Sequence, residues 1–315
     1  MVGFRHVPRG RRREVPFLTD PNLEGCGPLH GLKRESVGRG AGAPLHFIFH
    51  SAFCCSTLLA NALDVPGVAT TLKEPVILND LIGWRAQGAD PARVAQVLDA
   101  VLALLARPFE TGEAVIVKPS NVVTALMPAM LQLRPGARAL LLHAPLPVFL
   151  ASVARKGLEG RLWVRELAWK LRRDGLMDFG FSAEEEFRHT DLQVAALAWL
   201  AQHRLFARIA GHLGPGRVTS LDSETLLARP AEALVALAGH FALPLGREAA
   251  RAIAAGPAFT RHAKTGERFE AGARAARHET AMAAHAEELE KVGAWAGAVA
   301  SHAGVPLHLP APLLP

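Results

Sequence analysis

Residues 45–75 read LHFIFHSAFCCSTLLANALDVPGVATTLKEP, and this stretch decides how the rest of the chain is interpreted. Leu45, Phe47, Ile48 and Phe49 around His46 predict a short buried strand. Ser51 to Thr57 form a tight, mostly small-residue loop. Leu58, Leu59, Ala62 and Leu63 then recur at helical spacing until Asp64-Val65-Pro66-Gly67 stops the helix. A strand, a tight loop and a helix N-terminus together aim backbone N–H groups at one point and favour negative charge there. The loop is thus a candidate phosphate or sulfate cradle, with the Ser56 and Thr57 hydroxyls in the first turn.

The same rhythm continues outward. Ala69 to Leu72 predict a second strand ending at Lys73-Glu74-Pro75. Asp90-Pro91 open a helix with a cap and a proline at the first position, and its stripe is Val94, Val97, Leu98, Val101, Leu102 and Leu105. Ala114 to Val117 form a continuous apolar run ending at Lys118-Pro119-Ser120, the mark of a central parallel strand. Residues 121–133 predict a helix kinked at Pro128, and Ala137 to Leu142 another strand. A helix starting at Pro147 follows. Thr190 with Gln193 makes a capping box for a long helix ended by Gly214-Pro215-Gly216, before a last strand, Arg217 to Leu221. Strands alternating with helices imply a mostly parallel sheet covered on both faces.

Composition narrows the function. Of 315 residues, half are hydrophobic and a fifth charged, as expected of a soluble globular chain. The longest apolar run, Ala139 to Ala154, is broken by His143, Pro145 and Pro147, so no membrane span is expected. Three cysteines, two adjacent, do not make a disulfide framework, and the expected location is cytoplasmic. Residues 1–44, with Arg5, Arg9, Arg11, Arg12 and Arg13 before the first acid, predict a solvated, partly disordered leader, because Pro8 and Gly10 oppose a helix. Without aromatic interleaving the arginines do not indicate a nucleic-acid arm. Fourteen histidines show no metal-ligand spacing, so no metal is proposed. Cys54 and Cys55 read as small thiols filling the loop.

Ligands of open α/β sheets bind at the carboxyl ends of the strands. Three such ends carry chemistry: His50 to Thr57, Lys118-Pro119-Ser120, and His143-Ala144-Pro145 with Ser152 beyond. A lysine directly after an apolar strand either snorkels or holds an anion. The loop is not of the GxxxxGK[ST] type, since it has no glycine and Ser56 replaces the lysine.

Taken in order, these segments resemble the sulfotransferase family, whose members use 3′-phosphoadenosine 5′-phosphosulfate (PAPS). Phe53-Cys54-Cys55-Ser56-Thr57-Leu58-Leu59 is similar to that family's [KR]SG[ST]T loop and the apolar pair after it. Leu72-Lys73-Glu74-Pro75 resembles its Glu-Pro element, Val117-Lys118-Pro119 its third-strand lysine, and ALLLHAPLPVFLAS (139–152) its second motif. Arg217-Val218 through Glu224-Thr225-Leu226-Leu227, Pro230 and Phe241 to Pro244 resembles its late segment. Phe53, Cys55 and His143 stand where the family has a basic residue, a glycine and an arginine.

The resemblance implies a three-layer α/β P-loop fold with a central mostly parallel sheet, over 45–260 and extended by a basic loop and helices over 261–315. It implies sulfuryl transfer from PAPS, as co-substrate, to a hydroxyl on a small molecule, glycan or lipid. Phe53, Cys54, Cys55, Ser56, Thr57 and Leu58 would bind the donor, with His143, Ser152, Lys264 and Arg268 at its 3′-phosphate. Glu74 would be the base and His50 the second choice, with Lys118 supplying charge at the leaving phosphate. Three alternatives stay open: Glu74 pairs structurally with Lys73 or an arginine; the scaffold is a nucleotide-dependent phosphotransferase; or it is a silent binding protein of the same fold.

Overall fold

The computed structural model describes residues 2–33, 42–260, 280 and 282–314. The strands are β1 (Val2–Phe4), β2 (His30–Leu32), β3 (Leu45–His50), β4 (Ala69–Lys73), β5 (Ala114–Lys118), β6 (Ala139–His143) and β7 (Val218–Asp222). The helices are α1 (Arg9–Glu14), α2 (Ser56–Leu63), α3 (Val76–Ala86), α4 (Pro91–Leu105), α5 (Met127–Leu133), α6 (Leu146–Arg155) and α7 (Gly157–Arg173). They continue with α8 (Ala183–Arg188), α9 (Asp191–Leu213), α10 (Ser223–Ala228), α11 (Pro230–Phe241), α12 (Arg247–Ala254), α13 (Pro257–Thr260) and α14 (Ala286–His302). The fold is α/β, with a five-stranded parallel sheet in the order β4-β5-β3-β6-β7 flanked by helices. A separate antiparallel pair joins β1 to β2.

Internal contacts divide the chain into two units. The first comprises residues 1–48, 57–138 and 238–268, and the second 49–56, 139–237 and 269–315. In the first unit β4 and β5 pair in parallel with Lys73 level with Lys118, and β3 pairs with β5 through Phe47 and Val117. β3 and β5 are buried along their whole length, and β5 accordingly reads as an apolar run up to Lys118. In the second unit β6 pairs in parallel with β7, His143 level with Asp222, and the core holds Leu140 to Leu142, Phe149, Trp199 and Phe206.

Local signals hold where they were strongest. Asp90 caps α4 by accepting from the Arg93 N–H at 2.9 Å, and Thr190 with Gln193 forms the capping box of α9. Pro128 does not kink a helix. It starts α5, following a 3₁₀ turn over Asn121–Leu126, because a proline near a helix start gives up no intrahelical bond. The arginine-rich segment also departs from expectation. Pro8 sits at the cap of α1, where its missing N–H costs nothing, and Arg9 and Arg12 are buried. The Arg9 guanidinium lies 2.5 Å from Glu113 and 3.2 Å from Asp64 and donates to the Ala69 carbonyl at 2.8 Å. Arg13 also pairs with Asp64, at 2.9 Å, and Arg12 stacks over the Phe109 ring at 4.8 Å. The segment is a packed part of the first unit, held by counter-charges distant in sequence.

Candidate functional site

The loop after β3 turns without glycine. Ala52, Phe53 and Cys55 have φ of 71°, 52° and 62°, in the left-handed region that costs an L-residue about 1–2 kcal/mol each. The sign of φ alternates from Phe53 through Cys54 to Cys55, the pattern that turns successive N–H groups into an anion-binding concavity. Neighbouring contacts in the second unit hold the strain. Ser51 N–H donates to the Leu142 carbonyl at 3.1 Å, and Ser51 Oγ accepts from Ala144 N–H at 3.1 Å. The Ala52 N–H donates to His50 Nδ1 at 3.2 Å, so that nitrogen is an unprotonated acceptor serving the loop. The Phe53 ring packs on Phe149 at 5.6 Å and edge-on to Trp163 at 5.1 Å, and Cys54 is fully buried.

Ser56 and Thr57 open α2, and both are buried. Leu58, on the next position, is buried in the core of the first unit.

At the carboxyl ends of β4 and β5 the structure pairs Glu74 with Lys118. Lys118 is 1% exposed, and its ammonium lies 5.2 Å from the centre of the Phe17 ring. Glu74 has φ of 50°, a strained residue directly after a strand, and its N–H donates to the Lys118 carbonyl at 2.7 Å. Lys73 is not its partner. The Lys73 ammonium donates to the carbonyls of Arg13 at 3.0 Å and Val15 at 2.6 Å and to Asn61 Oδ1 at 2.7 Å. Burial above all, with the charges of Lys118, Arg12 and Arg13 added and Asp64 opposing, pushes the Lys73 amine down to about 8.

The second-motif residues take other partners. Ser152 donates its hydroxyl proton to the Val148 carbonyl at 2.8 Å, one turn back in α6. His143 lies edge-on to His203, 4.9 Å between ring centres, and burial lowers its pKa despite the nearby Asp222 carboxylate. It is therefore a neutral imidazole near neutral pH and brings no charge for a phosphate. Lys264 and Arg268 lie outside the described residues.

Beside His143 is a feature that sequence spacing does not reveal, a cavity of about 950 Å³ in the second unit. It opens at the carboxyl ends of β6 and β7 and is walled by residues from α6, α9, α14 and the C-terminal segment. No cluster of metal-ligating side chains is present among the described residues, and none of their helices is long and apolar enough to cross a membrane.

No family model and no curated protein matches the chain. Among solved structures, the chain is similar to the sulfotransferase domain from the curacin biosynthetic pathway. The identity is 14%, with 73% of this chain and 84% of that one covered and a TM-score of 0.43.

Proposed function

We propose that the chain transfers a sulfuryl group from PAPS to a hydroxyl of an acceptor molecule. The observation that carries this reading is the glycine-free turn after β3. Three strained residues there lead directly into the start of α2, whose first two residues are Ser56 and Thr57. Backbone strain persists where surrounding structure over-determines it, commonly at ligand clamps. In sequence, the same turn opens the series of segments that resemble sulfotransferase motifs.

In the reaction the acceptor oxygen forms a bond to sulfur as the bond from sulfur to the bridging phosphate oxygen breaks. The acceptor proton goes to a carboxylate, for which Glu74 is the candidate, and the leaving phosphate keeps the electron pair. Loop N–H groups and the hydroxyls of Ser56 and Thr57 suit the 5′ end of the donor. His143 and Ser152 do not suit the 3′-phosphate, one being neutral and the other already donating within its helix.

One observation favours a second reading, a silent binding protein. Phe53, where the family places a cation, is committed to an aromatic cluster. Titration with 3′-phosphoadenosine 5′-phosphate, read by calorimetry, and turnover with labelled PAPS separate the two. Binding with turnover that Lys118→Ala abolishes supports transfer. Binding without turnover supports the silent protein, and no binding at millimolar concentration removes both. Turnover unchanged in Lys118→Ala would move that role to another residue.

A further inference from the structure

The cavity at the ends of β6 and β7 is at the upper end of the size range for small-molecule sites. Its walls are apolar, with Leu146, Leu150, Trp199, Leu289, Leu307 and Leu309 among them. No lysine or arginine lines it among the described residues. Its polar lining includes Asp222, Glu290, His143 and the exposed His308. Asp222 spends its carboxylate on the cap of α10, accepting from the N–H groups of Glu224 at 3.0 Å and Thr225 at 2.8 Å and from the Thr225 hydroxyl at 2.6 Å. His143 is 8% exposed, and its Nδ1 has no hydrogen-bond partner among the described residues. Burial keeps its ring neutral. Glu290 on the wall adds a carboxylate. An anion entering this space would lose its hydration and meet carboxylates in return. An uncharged ligand would bury its apolar body against these walls and set a hydroxyl beside the neutral imidazole of His143 that lines them.

We propose that this cavity binds a neutral alcohol with a bulky apolar body, its hydroxyl hydrogen-bonded to His143. The proposal goes beyond the transfer reading and stands whether or not the chain uses PAPS.

The test uses the full chain and the neutral fluorescent probe N-phenyl-1-naphthylamine. Saturable binding is expected, with 1-decanol displacing the probe at a concentration at least tenfold lower than decanoate at neutral pH. Gly293→Phe, on α14, places a ring in the cavity. A Cβ at Gly293 meets nothing within 4 Å and the residue sits within a helix, so the variant is expected to fold with a melting temperature no lower than wild type. Its probe affinity should fall at least tenfold. Ala294→Leu, at the exposed neighbouring position that also lines the cavity, replaces it if Gly293→Phe does not fold. Absence of saturable binding, unchanged affinity in a folded plug variant, or decanoate as potent as decanol would each overturn the proposal. Binding of 3′-phosphoadenosine 5′-phosphate is measured separately, so failure here leaves the transfer reading standing.

Discussion

Replacing Arg9 tests whether the arginine-rich start is a working part of the first unit. Arg9 is 9% exposed and faces Glu113 at 0% and Asp64 at 3%, while its third carboxylate, Glu110, is half exposed. Arg9→Met keeps most of the apolar stem and removes the charge, leaving Glu113 buried without its cation. Breaking a buried pair from one side costs roughly 3–5 kcal/mol. The lower end applies, because Asp64 keeps Arg13 and Glu113 keeps hydrogen bonds from Thr70 and from the Gly67 N–H at 2.9 Å. A loss of about 3 kcal/mol at about 2–4 °C per kcal/mol lowers the melting temperature by about 6–12 °C. Thermal unfolding followed by circular dichroism reads this directly, with the exposed Arg11→Met as a control that should not move it. Burial alone would raise the Glu113 carboxyl, but hydrogen bonds from Thr70, Arg9 and backbone N–H groups outweigh it and hold the group below its ordinary value. The network's contribution is therefore present at neutral pH and is lost as pH falls through the carboxylate range. A shift under about 2 °C in Arg9→Met would show that the segment is detached in solution and that the packing argument is wrong.

Two further outcomes follow from the strained loop and the buried lysine. Ala52→Gly relieves a left-handed residue and should stabilise the chain by up to about 1 kcal/mol in denaturant titration; a clear loss would mean the loop does not hold this conformation. For Lys73 the folded amine titrates near 8, below its ordinary 10.5, so between those values the unfolded chain binds the extra proton and stability rises with pH. Lys73→Met should remove that rise from the pH profile of the unfolding midpoint, and profiles that stay parallel would refute the assignment.

What could be read in the sequence was local. The turn from β3 into α2, the Asp90 cap and the Thr190 capping box depend on neighbours within a few residues, and each appears where its residues predict it. The helix at Arg9 was hidden because its reason lies at Asp64 and Glu113, and α3 because nothing in Pro75-Val76 announces a helix start. The partner of Glu74 could not be chosen from spacing. Lys73 is its chain neighbour, yet strand register brings Lys118 level with Lys73 and leaves the more distant lysine for the carboxylate. The cavity was likewise illegible, since its walls come from positions as far apart as His143 and Leu314.

The indole of Trp199 has an optical consequence. It donates to the Ala144 carbonyl at 2.8 Å, stacks on His203 with ring centres 3.5 Å apart, and forms one wall of the cavity. Burial, with His143 and His308 adding to it, holds His203 well below the ordinary imidazole range, so no imidazolium arises beside the indole near neutral pH to quench its emission. Trp199 is one of five tryptophans, so with the other four replaced by phenylalanine it becomes a built-in fluorophore with a steady baseline, and anything that fills the space beside it should announce itself in the ultraviolet without a label.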